Sequence, residues 1–285
     1  VQTCALPICA VNVELLTTGS LSFGPGASTT IQTAAGNLIR LRAESISGTN
    51  VQIISGATGT VEFSPHGANT NTVIEFGQSG GLSLSPSLLG AVQSAGTLQA
   101  GRNDSNGSVT IAASPSGIAS AVGTLSLVGK DVNVNAPITT ATPGQGIAIY
   151  AGGNVQVASD ISTTTGKILI SAGDAGNAAP QGSAQLTIAG NLGAGSGNIT
   201  LQNTGLGGIA LNGGAITANV VRLASHSNGG TISQQAGVSI AATALGIDTA
   251  APVSLNALNS VGTLAVSSQG SGNGDRKSTR LNSSH

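Results

Sequence analysis

Apolar and polar positions alternate along this chain in short bursts of four or five residues, and most bursts open on glycine. The unit is Gly, any residue, aliphatic or Phe, any residue, aliphatic or Phe. It occurs as "GSLSF" at Gly19, "GTVEF" at Gly59, "GGLSL" at Gly80, "GSVTI" at Gly107 and "GTLSL" at Gly123. It returns as "GNVQV" at Gly153, "GKILI" at Gly166, "GNITL" at Gly197, "GGIAL" at Gly207 and "GTLAV" at Gly262. Alternation of this length, bounded by Gly, Asn, Ser and Pro, predicts strands with one buried face. β-Branched residues dominate the buried places, as strands prefer. The glycines are expected to supply positive φ at tight corners. No amphipathic helix of useful length appears. Only "SPSLLGAVQSAG" (85–96) is expected to form one or two helical turns, as a cap or insertion.

Several of these anchors lie about 20–30 residues apart, a period that signals a solenoid or repeat array. The predicted fold is all-β: a right-handed parallel β-helix (solenoid) with stacked coils of short strands. Roughly 22 residues per coil predicts about 12 coils and a rod on the order of 55–60 Å at the spacing of hydrogen-bonded strands. Right-handed crossovers are the rule for parallel strands. The interior is then a column of Val, Ile and Leu filled out by Ala. Asparagines at turns, as in "VNVNAP" and "GGNVQV", are expected to stack as ladders. A coil cannot bury its own face, so stability is shared between neighbours, and the ends are raw edges.

Composition sharpens this picture. The chain has 43 glycines, three Phe, one Tyr and no Trp, so its core is thin and built from small side chains. Charged residues make up only 7% while 39% are hydrophobic, a balance that excludes ordinary disorder. Glycine does not fall at every third place, which excludes collagen. No apolar run approaches a membrane span.

The two ends read differently. The string "DRKSTRLNSSH" (275–285) translates, codon for codon, a common sequencing-library adapter. "VQTCALPI" (1–8) translates the reverse complement of that adapter's first 24 bases. Two ends of a natural gene have no reason to be complementary. We therefore expect 1–8 and 275–285 to be translated artefact and 9–274 to be a β-helical repeat segment of a larger protein. Six basic and nine acidic residues remain in that segment, and the terminal basic run carries no functional weight. Cys4 leaves with the artefact and Cys9 straddles a junction, so no disulfide pair is expected.

The candidate chemistry is sparse. His66 in "SPHGAN" and His226 in "ASHSNGG" lie in turn-like contexts without the accompanying ligands a metal needs. The acids Glu14, Glu44, Glu62, Glu75, Asp104, Asp131, Asp160, Asp174 and Asp248 are scattered, as solvated corner residues would be. Asp131 and Asp160, with Lys130 and Lys167 nearby, are spaced for adjacent coils, where paired carboxylates could do acid–base work, but nothing local marks them and solvated corner positions explain them. "GSGNGD" (270–275) imitates a calcium-binding nonapeptide but occurs once and ends in the artefact. "GKILIS" lacks the phosphate-loop spacing, which leaves Lys167 as an outward-facing strand residue. Sequons at Asn103, Asn106 and Asn198 matter only in a glycosylating secretory context. Arg40, Arg42, Arg102 and Arg222 look too dispersed for a nucleic-acid stripe, and aromatic stacking partners are nearly absent. No catalytic, cofactor-binding or metal-ligating residue is expected, no cofactor is implied, and no ligand-binding residue can be assigned.

The segments "GTLQAGRNDSNGSVTIAA" (96–113), "GTLSLVGKDVNVNAPITT" (123–140) and "GNVQVASDISTTTGKILISAG" (153–173) resemble repeats of filamentous-haemagglutinin-like exoproteins. The resemblance covers most of 36–266. It implies a non-catalytic shaft of a large two-partner-secretion adhesin, exported through an outer-membrane transporter and displayed at the bacterial cell surface or released. The implied partners are that transporter and a host-surface or glycan receptor, with no nucleic acid and no membrane insertion of this segment. The absence of disulfides and bulky residues suits a chain threaded unfolded through a pore. An autotransporter passenger is the nearest alternative. A β-helical polysaccharide lyase or hydrolase is the alternative of another class, favoured if carboxylates cluster on one flank.

Overall fold

The computed structural model describes residues 11–24, 28–74, 81–115, 118–174, 182–225 and 230–268. The terminal strings 1–8 and 275–285, both cysteines, Glu75, His226 and the "GSGNGD" motif lie outside the described residues. Among the described residues every strand pairing is parallel, and each joins a strand to its counterpart one coil on, except that Gly81–Ser83 pairs with Asn71–Ile74 only 10 residues before it. One face of the rod is eleven strands deep, from Val13–Leu16 through Leu38–Arg42, Val122–Gly129, Gly146–Ala151, Ile168–Ala172 and Asn198–Asn203 to Ser260–Ser268. A second face stacks Asn71–Ile74, Val109–Ile111, Val132–Val134, Val155–Val157, Gln185–Ile188, Gly208–Leu211, Ile232–Gln234 and Val253–Leu255. A third stacks Ile138–Thr140, Ile161–Thr163 and Leu192–Gly193, then merges into the long strands Ala215–Ser225 and Ser239–Thr249, which turn the corner onto the first face. The fold is a β-solenoid with three strand columns per turn.

The alternation seen in the sequence explains the core. On the first face Ile39, Val61, Leu98, Leu125, Ile147, Ile168, Ile199, Val221 and Leu245 occupy one register and all point inward. Two residues on, Leu41, Phe63, Ala100, Leu127, Ile149, Ile170, Leu201 and Leu223 form a second inward column. Phe63, fully buried, faces Ala100 in the next coil, so large is set against small and the column stays filled. Each coil adds one layer to these columns and depends on the layers either side.

The stack has about ten turns rather than twelve, about 48 Å at the ordinary strand spacing. Coil length is the reason. First-face coils take 19–27 residues, except that Leu98 follows its partner Val61 by 37 residues and Ile199 follows Ile168 by 31. The longest coil holds the segment expected to be helical. Ser85 caps the short helix Pro86–Gly90 by accepting from the Leu88 backbone N–H, Pro86 starts it, and Leu88 and Leu89 are buried beneath it. The register of Val51–Ser64 against Val92–Gly101 shifts three times next to this insertion.

The repeat glycines serve a different purpose from the one expected. None of the described anchor glycines has positive φ; that conformation belongs to others, such as Gly101 and Gly208. The anchors allow adjacent coils to touch. A Cβ on Gly166 would lie 1.7 Å from the Gln145 carbonyl oxygen, and one on Gly197 would lie 2.1 Å from the Gly166 carbonyl oxygen. Glycine opens the unit because backbone packs on backbone at that corner.

Candidate ligand-binding flank

Corner side chains tie one coil to the next. The Asp131 carboxylate accepts the Asn154 backbone N–H at 2.7 Å, and Asn154 Oδ1 accepts that of Gln185 at 2.9 Å. A separate ladder runs from Asp160 to Asn191 and from Asn191 to Ala215, at 2.8 Å each. The anticipated asparagine ladders therefore exist, chiefly as side chains capping the backbone of the following coil. Gln234 and Asn259 form one true reciprocal amide pair. These ladders correct the reading of Asp131 and Asp160. They begin strands of different faces, Asp131 stacks with Asn154 and Asp160 with Asn191, and each carboxylate is engaged by backbone. Lys167 is exposed at the start of Ile168–Ala172, as its alternation requires, and among the described residues no ion pair links Lys130 or Lys167 to either acid.

The charged residues do converge, at the N-terminal end of the first face. In one outward register Glu14, Arg40, Glu62 and Gln99 follow each other coil by coil. Arg40 bridges Glu14 at 2.6 Å and Glu62 at 3.0 Å. Arg42 reaches the other Glu62 oxygen at 3.0 Å, and the Ser64 hydroxyl donates to Glu62 at 2.6 Å. Asp104 joins Arg42 at 3.6 Å to Arg102 at 2.7 Å, and Arg102 also donates to the carbonyls of Pro65 and His66. Three arginines and three carboxylates thus form one neutral network. Burial pulls the Arg40 guanidinium down, but Glu62, then Glu14 and Asp104, outweigh it and raise it above its ordinary value. The arginines are clustered, not dispersed, and Glu62 is a nearly buried face residue, not a solvated corner. Sequence distance concealed this because the partners lie 20–26 residues apart, one coil each.

A groove of about 530 Å³ runs along this face, across the strands, from Asn12 and Arg40 to Tyr150 and Asp174. Its lining is mixed: amides of Asn37, Gln99 and Asn103, hydroxyls of Thr60 and Ser126, the paired Arg40 and Glu62, and the ring of Tyr150. Tyr150 is half-buried. Its burial, and then the charge of Asp174, push the phenol above its ordinary value. No acidic or basic residue in this set was assigned a binding role from sequence. The available signal was the shared position of Glu62, Gln99 and Ser126 in "GTVEF", "GTLQA" and "GTLSL".

His66 is exposed, and no group of three or more His, Cys, Asp or Glu able to hold a metal occurs among the described residues. Asn103 and Asn106 are exposed on the loop beside the groove, and Asn198 is exposed at the start of its strand. Arg222 pairs with Asp248 across neighbouring coils at 3.1 Å, well away from the N-terminal network along the rod. No described helix is long and apolar enough to cross a membrane. Comparison of the chain with protein-family models, curated proteins and solved structures returns no match.

Proposed function

We propose that the chain is a non-catalytic shaft segment of a large secreted or surface-displayed bacterial adhesin of the filamentous-haemagglutinin-like kind, projecting or mediating adhesion. The observation that carries this reading is the use of charge. Of the two carboxylates lining the groove, Glu62 is committed to two arginines and Ser64, and Asp104 in the adjoining network is committed to two arginines. The corner acids Asp131 and Asp160 cap backbone. A lyase or hydrolase needs carboxylates whose protons are available to substrate. A shaft needs the reverse, a surface whose charges rigidify it. Export as a two-partner exoprotein through an outer-membrane transporter accords with the thin aliphatic core and sequential coils. An autotransporter passenger uses the same architecture.

Beads coated with the chain, presented to epithelial monolayers and to polysaccharide-coated surfaces, test the reading when soluble sugar release is followed in parallel. Retention of beads without new reducing ends or unsaturated sugars is expected. Turnover of a polysaccharide by the chain contradicts it.

A further inference from the structure

We propose that the groove on the first face is a binding site for a linear, uncharged oligosaccharide lying obliquely across the coils. The proposal names a ligand class for the adhesive reading above and rests on it only for biological purpose. Three observations carry it. The groove crosses the coils obliquely, from Asn37 just before Leu38–Arg42 to Tyr150 near the end of Gly146–Ala151, so its functional groups come from successive coils instead of from one strand. An extended sugar chain laid along it meets one coil after another. The repeated groups are amides and hydroxyls, Asn37, Thr60, Gln99, Asn103 and Ser126, which donate to and accept from sugar hydroxyls without demanding charge. The chain's single tyrosine stands at one end of this row, half-buried, with a ring able to receive the apolar face of a sugar.

Charge selects against polyanions. Arg40 is the one cation lining the groove, already held by Glu14 and Glu62, and Asp174 adds a further negative charge at the Tyr150 end. A sulfated or uronate chain would meet no unengaged guanidinium in this lining. From the Arg40 coil to the Asp174 coil the groove rises about 24 Å over five coil steps and also shifts along the strands, a path that a neutral hexasaccharide occupies and a disaccharide does not.

Because the chain holds one tyrosine and no tryptophan, its intrinsic fluorescence reports on Tyr150 alone. The full chain is titrated with cellohexaose, chitohexaose and mannohexaose, with the matching disaccharides, and with a heparin hexasaccharide. The expected result is a saturable change with at least one neutral hexasaccharide, at least tenfold tighter than its disaccharide, and none with heparin. Calorimetry then follows Tyr150→Ala and Asn103→Arg, the latter an exposed rim position whose change leaves the core intact. Each is expected to weaken binding at least tenfold, while Tyr150→Phe retains it within about threefold. No saturable binding by any neutral hexasaccharide, preferential binding of heparin, or affinity unmoved by both Tyr150→Ala and Asn103→Arg overturns the proposal. Beads that fail to adhere while the groove binds a hexasaccharide refute the adhesive reading alone; adhesion unaffected by Asn103→Arg, with no hexasaccharide bound, refutes the groove alone.

Discussion

The N-terminal coils, up to Arg102, and the middle coils, from Val122 to Ser225, use the same aliphatic columns but present opposite flanks. In the outward register that begins Glu14, Arg40, Glu62 and Gln99, the middle coils continue with Ser126, Ala148, Leu169 and Thr200 before charge returns at Arg222. The charged stretch is also where coil length jumps to 37 residues, the register shifts and a helix is inserted. The short-coil stretch around Gly146–Ala151 and Ile168–Ala172 pairs without a shift and needs no outward ion pair. The comparison teaches that regular coils are held in register by hydrophobic stacking and corner ladders, whereas the coil with the insertion is also tied from outside, by Arg102 and Asp104 reaching back to Pro65, His66 and Arg42.

The largest effect expected in breaking this comparison is in the middle. Ile149 is fully buried between Leu127 and Ile170, and Ile149→Ala is expected to cost about 2–5 kcal/mol in denaturant unfolding. Next comes Glu62→Gln. It leaves two guanidiniums without their shared carboxylate, a loss of roughly 3–5 kcal/mol when fully buried. Because Arg40 and Arg42 are 26% and 17% exposed, about 2–3 kcal/mol is expected, falling as salt is added. Gly166→Ala drives a Cβ into the Gln145 carbonyl and should cost about 1–3 kcal/mol. Gly193→Ala, where the nearest atom is 4.0 Å away, should stay within about 0.5 kcal/mol. Arg222→Ala removes a half-exposed partner of Asp248 and should likewise change stability by only about 0–1 kcal/mol. If Arg222→Ala proved as costly as Glu62→Gln, the distinction between the two flanks would fail.

The pH response separates the regions as well. Tyr150, at the junction of the charged and smooth flanks, has its phenol raised above the ordinary value of about 10 by burial and then by Asp174. The protonated form is the one the fold favours. Its contribution is fully present below the unfolded value and is lost as pH rises through the folded one. Phenolate absorbance, clean in a chain with one tyrosine and no tryptophan, should titrate at higher pH in the native chain than in denaturant. Asp174→Asn should lower the native midpoint.

Much of the fold was legible because alternation and glycine spacing are local. Of the ten repeat units, five open strands of the first face and four open strands of the second. Gly19 opens Ser20–Phe23, which pairs with Ser45–Gly48. The third face was nearly silent, because strands such as Ile138–Thr140 and Leu192–Gly193 offer two or three residues each and no glycine opening. Coil number was overestimated because insertions such as 85–91 carry no period. The role of the anchor glycines was misread since close approach between coils leaves the same residue type as a positive φ. The groove was not legible at all. Its members lie in consecutive coils, so their proximity is set by coil lengths of 21 to 37 residues that no local pattern reports. For the same reason the spacing of Asp131 and Asp160 left open a pairing across adjacent coils that they do not make, since they cap backbone at different corners.

The central claim is that stability passes from coil to coil along one stack, with the flank network reinforcing the irregular end. Segment-resolved hydrogen–deuterium exchange tests it most directly. The account predicts slowest exchange in Gly146–Ala151, Ile168–Ala172 and Asn198–Asn203, where each strand has a partner on both sides. Protection should fall stepwise toward Val13–Leu16 and Ser260–Ser268, and Glu62→Gln should speed exchange in Leu38–Arg42 and Val51–Ser64 while leaving Asn198–Asn203 unchanged. Uniform protection along the rod, or equal acceleration of every coil by Glu62→Gln, would contradict it.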